Sequence, residues 1–80
     1  MIQVAPRASA ALHAPSHTAR QRLAISRLLK VWTDEGYVRE VTKALTLPYG
    51  RIVIFATGDM VTDGRLFSVG VDRDGSVSAL

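Results

Sequence analysis

Thr18 to Gly36 reads TARQRLAISRLLKVWTDEG. Threonine at the first position and glutamine three residues later form a capping box, in which each residue satisfies a backbone N–H the first turn would otherwise leave bare. Stepping at about 100° per residue puts Ala24, Ile25, Leu28, Leu29, Val31 and Trp32 on one arc, and Arg22, Ser26, Arg27, Lys30 and Thr33 on the opposite one. Leu23 is the exception. Gly36 is a natural residue to follow the last turn, because it enters the left-handed region at no cost. The spacing predicts an amphipathic helix over Thr18–Glu35, with Ile25, Leu28, Leu29 and Trp32 turned to a core.

A helix with one apolar arc needs a partner layer, and the downstream sequence supplies strands. Arg51–Thr57 is rich in β-formers, and Leu66–Val71 alternates Phe67, Val69 and Val71 with Ser68 and Gly70. Asp-Gly in Arg73-Asp74-Gly75-Ser76 supplies the positive φ of a tight turn, leading into a short strand at Val77–Leu80. Gly58-Asp59 and Asp63-Gly64 flank a loop. Tyr37–Leu47 is ambiguous. Tyr37, Val38, Val41, Ala44 and Leu45 fit helical spacing, out of phase with the preceding helix. Pro48 and Gly50 in Leu47-Pro48-Tyr49-Gly50 suit a type I turn, which would pair Tyr37–Thr46 with Arg51–Ala56 as a hairpin. The hairpin is preferred, since a long helix needs a sheet wide enough to cover it. The expected fold class is α+β: one amphipathic helix packed on an antiparallel sheet of three or four strands. Ile52, Ile54, Phe67 and Val69 are the expected floor under the helix.

Upstream, MIQVAPRASAALHA is Ala-rich and has no acid. It has some likeness to a transit peptide but lacks the apolar core of a secretory signal. Residues 1–17 are read as a short strand at Ile2 and Val4 followed by an irregular lead-in that Pro15 ends. Eighty residues make one domain. A chain of this size buries only a little over roughly 60% of its unfolded surface, and with no cysteine it has no disulfide or thiolate-metal staple. No apolar run reaches the ~20 residues of a membrane span, so a cytoplasmic protein without a membrane partner is expected.

Chemistry-bearing motifs are sparse. Asp72-Arg73-Asp74-Gly75 opens like a calcium loop, but its glycine comes early and no bidentate glutamate follows. His13 and His17 have the four-residue spacing of paired metal ligands. Pro15 between them breaks a regular helix, and no carboxylate lies nearby to complete a site. No glycine-rich phosphate loop follows a strand. The sequence therefore points to a protein that is not an enzyme and takes neither a metal nor a cofactor.

Charge is the remaining signal. The net charge is +3. Eight Lys or Arg and three acids lie up to Arg51, against two Arg and four Asp beyond it, and no acid precedes Asp34. That imbalance predicts one positive face, formed by Arg22, Arg27 and Lys30 with Arg20 at its rim, and Arg39, Lys43 and Arg51 beyond Gly36. Arg20, Arg22, Arg27, Lys30, Arg39 and Lys43 are the candidate partner-binding residues. The face suits nucleic acid or an acidic protein surface.

Two resemblances bear on the partner. Ala24–Val41, AISRLLKVWTDEGYVREV, resembles the end of a winged-helix domain, where a recognition helix runs through Gly-apolar-apolar into a wing. The resemblance implies a DNA-binding regulator. In it Arg20, Gln21, Arg22 and Ser26 face the major groove, Leu47-Pro48-Tyr49-Gly50 is the wing tip and Arg51 is a phosphate contact. The two helices that precede a recognition helix in that family have little room in the nineteen residues before Arg20. In size and layout, without a shared motif, the chain also resembles the small phage-encoded anti-CRISPR proteins. That resemblance implies a non-enzymatic inhibitor that occupies a surface of a host ribonucleoprotein, the CRISPR effector, in the bacterial cytoplasm. In either case a homodimer would cover an exposed sheet edge.

Overall fold

The computed structural model describes residues 2–36, 38–58 and 66–80. Along the chain they form β1 (Gln3–Val4), α1 (Pro6–Leu12), α2 (Ala19–Glu35), β2 (Val38–Thr46), β3 (Ile52–Gly58), β4 (Leu66–Val71) and β5 (Val77–Ala79). The fold is α+β, with two helices against one five-stranded sheet in the order β1-β2-β3-β4-β5.

The central expectation holds. Thr18 is the N-cap of α2 and the capping box is complete: the Gln21 N–H donates to Thr18 Oγ1 at 3.1 Å, and the Thr18 N–H donates to Gln21 Oε1 at 2.9 Å. Gly36 ends the helix at φ 78, its N–H donating to the Trp32 carbonyl at 3.1 Å. β2 and β3 form the preferred hairpin, and β4 and β5 continue it antiparallel. Tyr37 and the loop expected between Gly58-Asp59 and Asp63-Gly64 lie outside the described residues, apart from Gly58 at the end of β3.

The short strand expected at Ile2 and Val4 is present as β1, but the N-terminal segment otherwise differs from expectation. It is not an irregular lead-in. β1 pairs with β2 in parallel, Gln3 opposite Glu40 and Val4 opposite Val41. The sheet is therefore mixed and five-stranded rather than antiparallel with three or four strands. α1 follows at once. Proline suits its first position, because the fixed φ is already helical and the missing N–H would have no partner there. Ala8 and Leu12 of α1 are buried, and they close the core with Ile25 and Trp32 of α2 over Val38, Val41, Ile52, Ile54, Ala56, Val69 and Val71. Trp32 meets Phe67 edge-on, ring centroids 5.8 Å apart. Val31, placed on the apolar arc by its spacing, is instead exposed. It sits at the rim of that arc.

The β2–β3 and β4–β5 turns share one design. In each, a turn closed by an i to i+3 backbone bond ends on a left-handed glycine. The Gly50 N–H donates to the Leu47 carbonyl and the Gly75 N–H to the Asp72 carbonyl, both at 2.9 Å, with φ of 81 and 88 at the glycines. Both turns lie at the end of the sheet that meets the N-terminus of α2. Gln21, fully buried, donates from Nε2 to the Gly50 carbonyl at 2.7 Å and to the Val71 carbonyl at 3.4 Å. Thr18 Oγ1 donates to the Arg73 carbonyl at 2.6 Å. One capping box thus caps the helix and clamps both turns to it.

Candidate binding surface

α2 carries four of the six candidate basic residues, and its rotation decides which of them act together. Arg20 and Arg27 are seven residues apart, about 20° around the helix, whereas Arg22 lies about 140° from Arg27. The neighbours of α2 differ accordingly. Arg20 and Arg27 line a cleft of about 280 Å³ with Leu23, Ala24, Asp74 and Gly75, on the flank beside the β4–β5 turn. Arg22 lies on the other flank. It donates from Nη2 to the Pro15 carbonyl at 2.9 Å and borders a groove of about 330 Å³ between α1 and α2, floored by Leu12, Ile25 and Leu29. The expected single face of Arg22, Arg27 and Lys30 is therefore split in two.

Lys30 is also reassigned. It pairs with Asp34 at 3.1 Å, one turn on, between two exposed side chains. The acid that ends the basic stretch is thus spaced to offset its nearest lysine. Arg20 and Arg27 make no hydrogen bond or ion pair with the described residues. Leu23, half exposed, stands between them in sequence. The flank is a pair of cations with an apolar side chain at its centre, on a helix whose first turn is fixed by the capping box.

The cations beyond Gly36 serve different surroundings. Arg39 is exposed on β2 and lines a cleft of about 620 Å³ with Gln3, Thr33, Glu40 and Thr57. Lys43 borders a separate cleft on the outer side of β2, with Arg7 of α1. Arg51 is structural. On the sheet face away from the helices it pairs through Nε with Asp72 at 3.2 Å and donates from Nη2 to Ser78 Oγ at 2.9 Å. Its guanidinium crosses directly over Gly70, where a Cβ would lie 2.8 Å from Arg51 Nε. A side chain at that strand position would displace the Arg51 guanidinium from its place over the sheet.

Several residues that sequence reasoning passed over belong to these surfaces. Arg7 lies in the stretch read as lead-in, and no local pattern marked it. Arg73 was read only as part of a turn, but its side chain covers Gly50 beside Ser16, His17 and Tyr49. His17, expected in a solvated loop, is buried, with Nε2 2.6 Å from the Ala11 carbonyl. His13 is exposed at the end of α1. The pair does not converge, and no group of three metal-ligating side chains occurs among the described residues. Asp74 has a pKa below the usual carboxylate value, chiefly because the Ser76 backbone N–H donates to it at 2.9 Å, with a smaller contribution from the nearby Arg20 charge.

The winged-helix expectation fares differently at its several residues. Gln21, expected to face a groove, is buried beneath the turns. Arg51, expected on phosphate, is engaged with Asp72 and Ser78. One seven-residue helix precedes α2 among the described residues, and α2 packs on the sheet through Ile25 and Trp32. Comparison with known proteins found no family model, no curated protein and no solved structure that matches this chain. No helix among the described residues is long and apolar enough to cross a membrane.

Proposed function

We propose that this protein is a non-enzymatic binding protein that inhibits a larger host assembly, of the anti-CRISPR type, acting in the bacterial cytoplasm and docking through the Arg20–Arg27 flank of α2. The observation that supports this reading is the pairing of two exposed arginines around Leu23 on a helix locked at its N-terminus. An aliphatic anchor between cations suits an acidic protein surface or a phosphate-lined channel of a ribonucleoprotein. Arginine can engage carboxylate or phosphate with two parallel hydrogen bonds, and a fixed helix spends little conformational entropy on docking.

The test is phage plating on a host with an active CRISPR system, with and without the chain expressed. Restored plating that is lost in Arg20→Glu/Arg27→Glu, while that variant keeps its helical circular dichroism and melting temperature, supports the reading. Full inhibition by the double variant removes this flank from the function. No effect of the wild-type chain on any CRISPR type tested removes the anti-CRISPR assignment. Anisotropy of labelled random duplex DNA at about 50 and 200 mM salt separates the alternative. Binding at low salt that falls steeply with salt is the mark of phosphate contacts and would favour a DNA-binding regulator.

A further inference from the structure

β2 is nine residues long, but the strand outside it is only two. β1 covers Glu40 and Val41, and the last backbone bond along that edge runs from the Ala5 N–H to the Val41 carbonyl at 3.0 Å. The rest of the edge can be read from the ladder on its other side. The hairpin closes with the Leu47 N–H on the Arg51 carbonyl at 2.7 Å. Backbone groups alternate sides along an antiparallel strand, so Leu45 and Lys43 bond inward to Val53 and Phe55, and Ala44 and Thr46 turn their N–H and C=O outward. No other hydrogen bond among the described residues reaches those outward groups.

A cleft of about 350 Å³ lies along this edge, lined by Arg7, Ala8 and the four consecutive residues Thr42, Lys43, Ala44 and Leu45. Beyond the register irregularity at Val41–Lys43, Ala44 and Leu45 point to opposite faces, so a cleft touching both runs beside the backbone rather than over one face. Two of its lining residues are cations and none is an acid. Neither Arg7 nor Lys43 makes an ion pair with the described residues.

The geometry points to an edge that accepts one more strand from a partner: an extended peptide segment with acidic side chains, added beside Ala44–Thr46 and held by Arg7 and Lys43. Strand addition draws affinity from main-chain bonds and selectivity from flanking side chains. Here the selectivity is electrostatic. The same charges disfavour a second copy of this chain, since pairing two β2 edges would bring Arg7 and Lys43 of one copy towards those of the other. An edge lysine commonly blocks such self-pairing. This surface is independent of the α2 flank, and its test reads peptide binding rather than inhibition.

The probe is a fluorescein-labelled heptapeptide alternating glutamate and valine. Its controls are the same peptide with lysine for glutamate, and a copy N-methylated at alternate amides. The glutamate peptide is expected to shift the Ala44 and Thr46 amide resonances and slow their exchange. Arg7→Glu/Lys43→Glu is expected to weaken it at least about tenfold, or 1.4 kcal/mol. Thr46→Pro, which removes an outward N–H while leaving the inward ladder its donors, is expected to weaken it as well. Equal binding of the lysine or the N-methylated peptide, or shifts confined to other residues, overturns the proposal. So does concentration-dependent self-association that protects the same two amides, which would make the occupant a second copy.

Discussion

Replacing Gln21 with methionine tests whether the capping box carries tertiary structure as well as helix stability. Methionine nearly preserves the side-chain volume, so cavity formation contributes little and the change isolates the polar contacts. Three are lost: from the Thr18 N–H to Oε1, and from Nε2 to the carbonyls of Gly50 and Val71. The 3.4 Å bond to Val71 is long and contributes least. Leaving a buried donor or acceptor unsatisfied costs about 1–3 kcal/mol each, and losing half of a capping box lies near the low end of that range. A total of about 2–4 kcal/mol is expected. A domain of this length has a stability on the order of 4–12 kcal/mol, and each kcal/mol moves its melting temperature by about 4–8 °C. Gln21→Met should therefore melt at least about 8 °C lower by circular dichroism, with its urea midpoint reduced and its m-value unchanged. A second arm locates the effect. In a cycle with Thr18→Ala the losses should be non-additive, because the two residues bond each other in the capping box and both reach Val71–Arg73 at the end of β4. A shift below about 4 °C in Gln21→Met, or strict additivity in the cycle, would refute the clamp.

Trp32→Ala should cost about 3–5 kcal/mol by chemical denaturation, since the indole is buried and meets Phe67 edge-on; an unchanged urea midpoint would mean the core is misassigned. Gly75→Ala should destabilise by more than about 1 kcal/mol, because φ is 88 and an added Cβ would lie 3.1 Å from the Arg20 carbonyl; a neutral or stabilising result would contradict the turn geometry. Lys30→Ala should change stability by no more than about 0.5 kcal/mol, both partners being exposed; a larger loss in a thermal melt would give Lys30 a role beyond its pair. Asp74 sets one pH dependence. Its folded pKa is depressed, so its contribution is present above the unfolded carboxylate pKa and lost as pH falls through the folded value. The wild type should lose that increment on acidification while Asp74→Asn does not, and parallel stability curves for the two would remove the Ser76 contact as its cause.

Much of the fold could be read in the sequence because its signals are local. Thr18, Gln21 and Gly36 fix both ends of α2 within their own neighbourhood. Pro48 with Gly50 and Asp74 with Gly75 announce their turns in the same way. Ile2 and Val4 mark a short strand, but neither its parallel pairing nor α1 carries a comparable signal. A two-residue parallel strand exists only because β2 lies beside it, thirty-seven residues away in register. α1 is seven residues, four of them alanine or serine, with no side-chain cap, so its periodicity has nothing to contrast with. Gln21 shows a different blindness. Its polarity suggests an exposed position, but its main partner is twenty-nine residues away and it is fully buried.

The basic surface failed to assemble as expected for a related reason. A helical wheel divides a helix into an apolar arc and its complement, but the complement spans half the circumference and has two rims. Which rim a residue joins depends on what packs beside it. Here α1 borders one rim and the β4–β5 turn the other, and neither is visible from the spacing within α2. The cap links this outcome to function. Gly75 packs against the Arg20 carbonyl, and Thr18 holds the neighbouring Arg73 carbonyl. The same contacts that clamp the turns therefore set where Arg20 emerges. A variant that loosens the clamp without unfolding the chain, such as Thr18→Ala, should weaken binding through the Arg20–Arg27 flank even though no cation has been removed. If binding through that flank is unchanged in Thr18→Ala while the melting temperature falls, the clamp contributes to stability alone and does not orient Arg20.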